Sequence, residues 1–211
     1  MNLPRIILGS RSPRRKELLT QLLPETQIEV MPPIDPEEAG FEQLHDWDAI
    51  QQQLISICTE KNTDVFQQRQ ADASVPILTA DTIGVVKRQA GDLVVLGQPP
   101  VESDWQETVR QWFLNHYAGK THLVLTGVCL RYQQQVMLQI AETEVTFHDQ
   151  EYVRARLDWY LSTQESRGMA GGYAIQGAGS IFVNRIEGSL SNVVGLPLET
   201  VFEMLNRSQT E

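Results

Sequence analysis

The sequence predicts an α/β protein. Short apolar runs bounded by Gly and Pro alternate along the chain with longer segments of helical spacing, and no internal repeat or low-complexity stretch interrupts the alternation. The chain has 211 residues, 41% hydrophobic and 21% charged, which suffices for one domain with a substantial core and excludes a disordered or collagen-like chain.

Taken in order, residues 4–8 (PRIIL) read as a short buried strand, followed by the loop Gly9-Ser10-Arg11-Ser12. Ser12-Pro13 opens a helix, because Ser caps the first turn and Pro is preorganised for the first helical position. Leu18, Leu19, Leu22 and Leu23 form its apolar stripe. Residues 27–31 predict a second strand ended by Pro32-Pro33, and the acidic stretch 32–46 a surface loop. Ile50, Leu54, Ile57 and Cys58 set a helix over 47–70. Residues 75–80 and 83–86 read as strand interrupted by Asp81-Thr82, and the turn at Gly91-Asp92 returns the chain along 94–96. An amphipathic helix over 104–117 ends at Gly119. Residues 121–131 and 137–147 predict a hairpin around the polar turn 132–135. A helix over 149–162, a glycine-rich loop over 168–179 and a closing helix over 198–205 complete the chain.

The charge is unevenly placed. The net charge is −10, yet residues 1–20 carry Arg5, Arg11, Arg14, Arg15 and Lys16 against Glu17 alone, while residues 21–60 hold nine carboxylates and no Lys or Arg. An acidic chain of this kind argues against binding a nucleic-acid polymer, which needs a broad basic face. A small basic cluster kept on an acidic protein suits one compact anion. No apolar run approaches the ~18 residues of a membrane span, and the N-terminal residues lack the apolar stretch of a signal peptide. Two cysteines, Cys58 and Cys129, read as buried thiols of a reducing compartment. The expectation is a soluble cytoplasmic protein.

Three constellations carry chemistry. The strand–Gly-Ser-x-Ser-Pro–helix segment presents free backbone N–H groups and the positive end of a helix dipole, with Ser10 and Ser12 as hydroxyl donors and Arg14 and Arg15 as planar forks for phosphate. The same residues would also serve as a capped, solvated helix start. Asp81 stands alone in an apolar run; it suits either a hard cation such as Mg²⁺ or the orientation and deprotonation of a water, or else a turn that caps the strand. The loop from Ala170 to Gly179 has four glycines in ten residues, with Tyr173 offering a stacking face and Gln176 a donor–acceptor pair. His45, His116, His122 and His148 show no metal-binding spacing and read as surface or strand residues, and neither a phosphate-binding GxxxxGK[ST] loop nor a GxSxG nucleophile occurs.

Together these segments resemble the Maf family of nucleoside triphosphate pyrophosphatases, also called septum-formation proteins. The resemblance runs from Leu8-Gly9-Ser10-Arg11-Ser12-Pro13-Arg14-Arg15-Lys16-Glu17-Leu18-Leu19 through Ala80-Asp81-Thr82 and Gly119-Lys120-Thr121-His122 to Ala170–Gly177 and Asn192-Val193-Val194-Gly195-Leu196-Pro197. It implies one Maf-like domain over residues 1–211: an elongated mixed β-sheet flanked by helices, two lobes and a central cleft (Maf/ITPase-like), often as a homodimer. It further implies hydrolysis of a nucleoside triphosphate to the monophosphate and pyrophosphate with Mg²⁺ or Mn²⁺, the Tyr-x-Ile-Gln-Gly form being similar to the dTTP/UTP branch. By that resemblance Asp81, Lys61 and Arg14 are catalytic. Ser10, Arg15 and Gln176 bind substrate, joined by Ser12 and Tyr173 from the residue reading, and Asp81 and Glu37 hold the metal. Two departures stand out: Gln98 and Met169 occupy positions where the family usually has lysine, and Lys87 or Arg88 is the expected substitute. They motivate a second reading, a nucleotide-binding regulatory protein with weak or no turnover. A partner-binding role in cell division has only the family's name behind it and no motif.

Overall fold

The computed structural model describes residues 5–34, 40–70, 72–88, 91–101 and 104–208. Its frame is a mixed sheet of seven strands: β1 (Ile6–Leu8), β2 (Ile28–Val30), β3 (Ile77–Lys87), β4 (Leu93–Leu96), β5 (Thr121–Tyr132), β6 (Gln135–Phe147) and β7 (Val183–Glu187). The order is β2-β1-β3-β5-β6-β7, with β4 also paired to β3. β1 runs parallel to β2 and β3, and the other pairs are antiparallel. The helices are α1 (Pro13–Thr20), α2 (Trp47–Gln68), α3 (Trp105–Trp112), α4 (Gln150–Ser162), α5 (Leu190–Val194) and α6 (Leu198–Arg207).

One edge of β3 determines where a ligand can sit. β1 pairs with its beginning, Leu8 opposite Leu78, and β4 pairs with its end, Leu96 opposite Gly84. Between the two, among the described residues, Asp81–Ile83 have no strand on that side. β1 runs parallel to β3 and β4 antiparallel, so the C-terminal ends of both point into this gap. The loops they deliver, Gly9–Ser12 and Gly97–Gln98, therefore meet there. Loops at the carboxyl ends of strands that part company are the usual place for a ligand in an α/β sheet.

Two apolar clusters flank the gap. One gathers Ile6, Leu8, Leu19, Leu130, Val201 and Met204 from β1, α1, β5 and α6. The other is aromatic, with Phe113, Tyr117, Phe147, Tyr160 and Phe182 packed largely edge to face. α2 covers the far side of the sheet through Ile50 and Leu54 against Ile83, Val85 and Leu125.

The structure corrects several expectations. β3 does not break at Asp81-Thr82: the ladder with β5 continues, Asp81 opposite Gly127 and Thr82 opposite Thr126, so the strand is held where its other edge is free. Helix α3 closes in a π-turn over Phe113–Tyr117, where the Ala118 N–H reaches back to the Phe113 carbonyl. The glycine-rich stretch contains two 3₁₀ turns, Ala170–Gly172 and Ala178–Phe182. β7 and α5 were not expected from the sequence. Among the described residues, no helix is long and apolar enough to cross a membrane.

Candidate active site

A cleft of about 450 Å³ opens at the gap in the sheet, well within the range of small-molecule sites. Arg11, Arg14, Arg15 and Lys61 line it, against one acidic side chain among the described lining residues, Asp81. On a chain of net charge −10 this is a local inversion of sign.

Helix α1 starts at its rim. The Ser12 hydroxyl caps it by accepting from the Arg15 N–H, and Pro13 holds the first position. The Ser10 side chain is buried, and its oxygen accepts from the Ser12 N–H at 3.2 Å and from Arg15 Nη1 at 3.4 Å, so its own proton remains to donate. Arg14 is half-buried, and its one hydrogen bond among the described residues runs from Nη1 to the Met169 sulfur at 2.7 Å. A thioether is a weak, neutral acceptor, so the guanidinium keeps nearly its full capacity for an anion. Burial, and secondarily the neighbouring Arg15, push its pKa below the ordinary arginine value; an opposite charge nearby would offset both costs.

Arg15 behaves differently. Nε donates to the Gly195 carbonyl at 2.8 Å and Nη2 to Thr82 Oγ1 at 3.1 Å, besides the bond to Ser10. It ties α1 to β3 and to the α5–α6 turn, so its guanidinium is largely committed to the scaffold. Lys16, counted with the basic cluster in the sequence, points away and pairs with Glu25 at 2.6 Å.

The base of the cleft holds an ion pair. Lys61 Nζ lies 2.7 Å from Asp81 Oδ1, with both side chains 14% exposed. Strand alternation turns Asp81 toward α2, as it does Thr79, whose hydroxyl bonds the Cys58 carbonyl. α2 comes close enough because Gly127 lies opposite Asp81: a Cβ there would stand 2.8 Å from the Cys58 sulfur and 3.0 Å from Leu54. The Cys58 thiol is pushed up to about 12, first by burial and next by Asp81, so it stays protonated and takes no part as a nucleophile.

The glycine-rich loop forms the opposite wall. Gln176 is exposed and lines the cleft. The loop beneath it is clamped by Glu165, whose two oxygens accept the Ala178 and Gly179 N–H groups, each at 2.9 Å. Tyr173 does not offer a stacking face: it is 7% exposed, packed edge-on against Tyr117, His122 and Phe147, and its hydroxyl meets His122 Nε2 at 2.8 Å. Burial drives the His122 pKa down to about 3, so this partner is a neutral imidazole near neutrality. Tyr117 and Tyr160 donate to the Gly171 and Gly172 carbonyls and fix the same loop.

The structure thus brings Ser10, Ser12, Arg14, Arg15, Lys61, Asp81, Tyr173 and Gln176 around one hollow. Gln98 and Met169 line it too, whereas Lys87 and Arg88, the expected substitutes, are not among its described lining residues. Glu37 lies outside the described residues. Sequence reasoning passed over Thr82 and Glu165; the Asp-Thr pair in an apolar run was a signal for the first, and nothing local marked the second.

A divalent cation fits this donor set in one way. Among the described residues no group of three or more His, Cys, Asp or Glu could hold a metal, but Lys61 takes only one oxygen of Asp81, and no hydrogen bond reaches the other among the described residues. A Mg²⁺-like ion takes one or two carboxylates and fills its shell with water and phosphate oxygens, which suits a single acid beside a phosphate cradle.

A split mixed sheet whose gap gathers four cationic side chains, from the β1–α1 loop, α1 and α2, around one carboxylate defines an α/β protein with a positively lined cleft. This chain belongs to the Maf family: the family model described as Maf-like protein matches residues 5–208. It is 34% identical over 200 residues to a dTTP/UTP pyrophosphatase of Pyrococcus abyssi, covering 95% of this chain and 94% of that one. It is 35% identical over 211 residues to a dTTP/UTP pyrophosphatase of Anaeromyxobacter dehalogenans, covering 97% and 94%. Among solved structures, a HAM1 protein from Coxiella burnetii matches 69% of this chain and 73% of its own at 13% identity and a TM-score of 0.41, a likeness too remote to bear on function.

Proposed function

We propose that this chain, one Maf-like domain with two lobes, is a cytoplasmic pyrophosphatase that hydrolyses dTTP, UTP or a related modified nucleotide to the nucleoside monophosphate and pyrophosphate. The observation that carries the reading is the set of three cleft arginines without a carboxylate partner among the described residues, facing one carboxylate–ammonium pair. The relatives, both dTTP/UTP pyrophosphatases, supply the substrate class.

In this reading the triphosphate lies along the start of α1, where the Arg14 guanidinium, the Ser10 hydroxyl and the Arg14 backbone N–H receive its oxygens. Water attacks the α-phosphorus, the bond to the bridging oxygen breaks, and pyrophosphate leaves with the electron pair. Asp81 orients that water and accepts its proton; Lys61 fixes the carboxylate's position and adds positive charge beside the phosphates. Arg14 and the helix N-terminus stabilise the charge that builds on the leaving group. As the alternative to that proton-accepting role, the free oxygen of Asp81, with Glu37, would hold Mg²⁺ or Mn²⁺, which when bound neutralises phosphate charge and lowers the pKa of a coordinated water. Gln176, on its clamped loop, meets the base.

The experiment is a nucleotide panel with Mg²⁺ or Mn²⁺ and detection of pyrophosphate. Release from dTTP or UTP that Asp81→Asn removes supports the enzyme. The neutral Gln98 and Met169 favour a second reading, a nucleotide-binding regulatory protein, which predicts tight binding with no pyrophosphate.

A further inference from the structure

We infer that Arg11 is a phosphate-binding residue of this cleft, taking the place that sequence alone gives to Arg15. The inference rests on the reading of the cleft as a triphosphate site and names which guanidinium serves it. Three of Arg15's five N–H donors go to Gly195, Thr82 and Ser10, one from each nitrogen, so its guanidinium braces the rim from all three corners. Arg11 lines the same cleft. Its only hydrogen bonds among the described residues come from one nitrogen, Nη2, to the carbonyls of Pro33 at 3.0 Å and Ile34 at 3.4 Å. Those carbonyls hold the guanidinium in place without neutralising it, and Nη1 and Nε remain as donors. No carboxylate of the described residues pairs with it, although the chain carries 27. An exposed arginine held at a cleft mouth by neutral acceptors is preorganised for an anion, and its planar fork matches phosphate oxygens.

The test is metal-free binding of inorganic tripolyphosphate by calorimetry, with thermal unfolding of each free protein. Arg11→Gln should weaken tripolyphosphate at least tenfold while Tm moves by no more than about 2 °C; Arg11→Lys should recover part of the affinity as a point charge. Arg15→Gln should lower Tm by roughly 5–10 °C, from the loss of three hydrogen bonds. Affinity of Arg11→Gln within twofold of the parent overturns the proposal, as does no binding by the parent. So does a loss of turnover at unchanged tripolyphosphate affinity, which would make Arg11 a strut for the loop at residues 33–34. The proposal and the proposed function fail separately. Arg11-dependent tripolyphosphate binding with no turnover of any nucleotide leaves Arg11 in place and removes the enzyme. Turnover with a KM indifferent to Arg11→Gln does the reverse.

Discussion

Replacing Asp81 by Asn separates chemistry from binding in this cleft. The substitution is nearly isosteric, removes the proton acceptor, and leaves Lys61 beside a neutral amide. A positioned general base contributes roughly 10²–10⁴-fold, so kcat should fall by at least about 100-fold. The fold should survive. The pair is 14% exposed on both sides, between the exposed regime of under ~1 kcal/mol and the buried regime of ~3–5 kcal/mol, so the stability cost should be about 1–2 kcal/mol. Ground-state binding should move the opposite way. The cleft loses its one described acid and keeps four cations, so metal-free tripolyphosphate should bind as tightly as before or more tightly. Stopped-flow or coupled detection of pyrophosphate gives kcat, and calorimetry gives the affinity. Asp81→Asn with kcat within threefold of the parent would refute the assignment of the proton acceptor. Equal losses in kcat and metal-free affinity would mean that the substitution disrupts the cradle instead.

Gln98→Lys places a cation on the exposed side of the cleft and should raise kcat/KM for dTTP or UTP about threefold to tenfold; an unchanged value would indicate that Gln98 does not face phosphate. Glu165→Ala removes two charge-assisted hydrogen bonds beneath Gln176, and should lower stability by about 2–4 kcal/mol in calorimetry and raise KM more than it lowers kcat. His122 has a folded-state pKa near 3, below its ordinary value of 6.5, because of burial. Its contribution to stability is therefore complete above pH 6.5 and is lost as pH falls toward 3, at about 1.4 kcal/mol per pH unit. His122→Phe should flatten the denaturation free energy over that window, and an identical slope in both proteins would contradict the assignment.

Local signals were sufficient for much of the fold. The Ser12-Pro13 start, the α2 stripe and the β5–β6 hairpin follow from capping chemistry and periodicity, which act within a few residues. The break expected at Asp81-Thr82 was wrong because a carboxylate in an apolar run looks like a strand end. Here an ammonium 20 residues away, on α2, receives it. Arg14 and Arg15 are neighbours of identical type, and nothing in their sequence distinguishes the one open to the cleft from the one bound to Gly195. That difference comes from a contact 180 residues apart. Tyr173 lines the cleft as expected, but not with a stacking face: a tyrosine in a glycine-rich loop suggests one, and here the aromatic cluster takes up its ring. Glu165 was silent because its partners are backbone N–H groups, which carry no residue identity.

The most direct test of the account is hydrolysis of dTTP or UTP in ¹⁸O-labelled water with mass analysis of both products. Attack at the α-phosphorus, guided by Asp81 with pyrophosphate leaving toward Arg14, predicts one labelled oxygen in the monophosphate and none in the pyrophosphate. Label in pyrophosphate, or release of orthophosphate as the primary product, would contradict it.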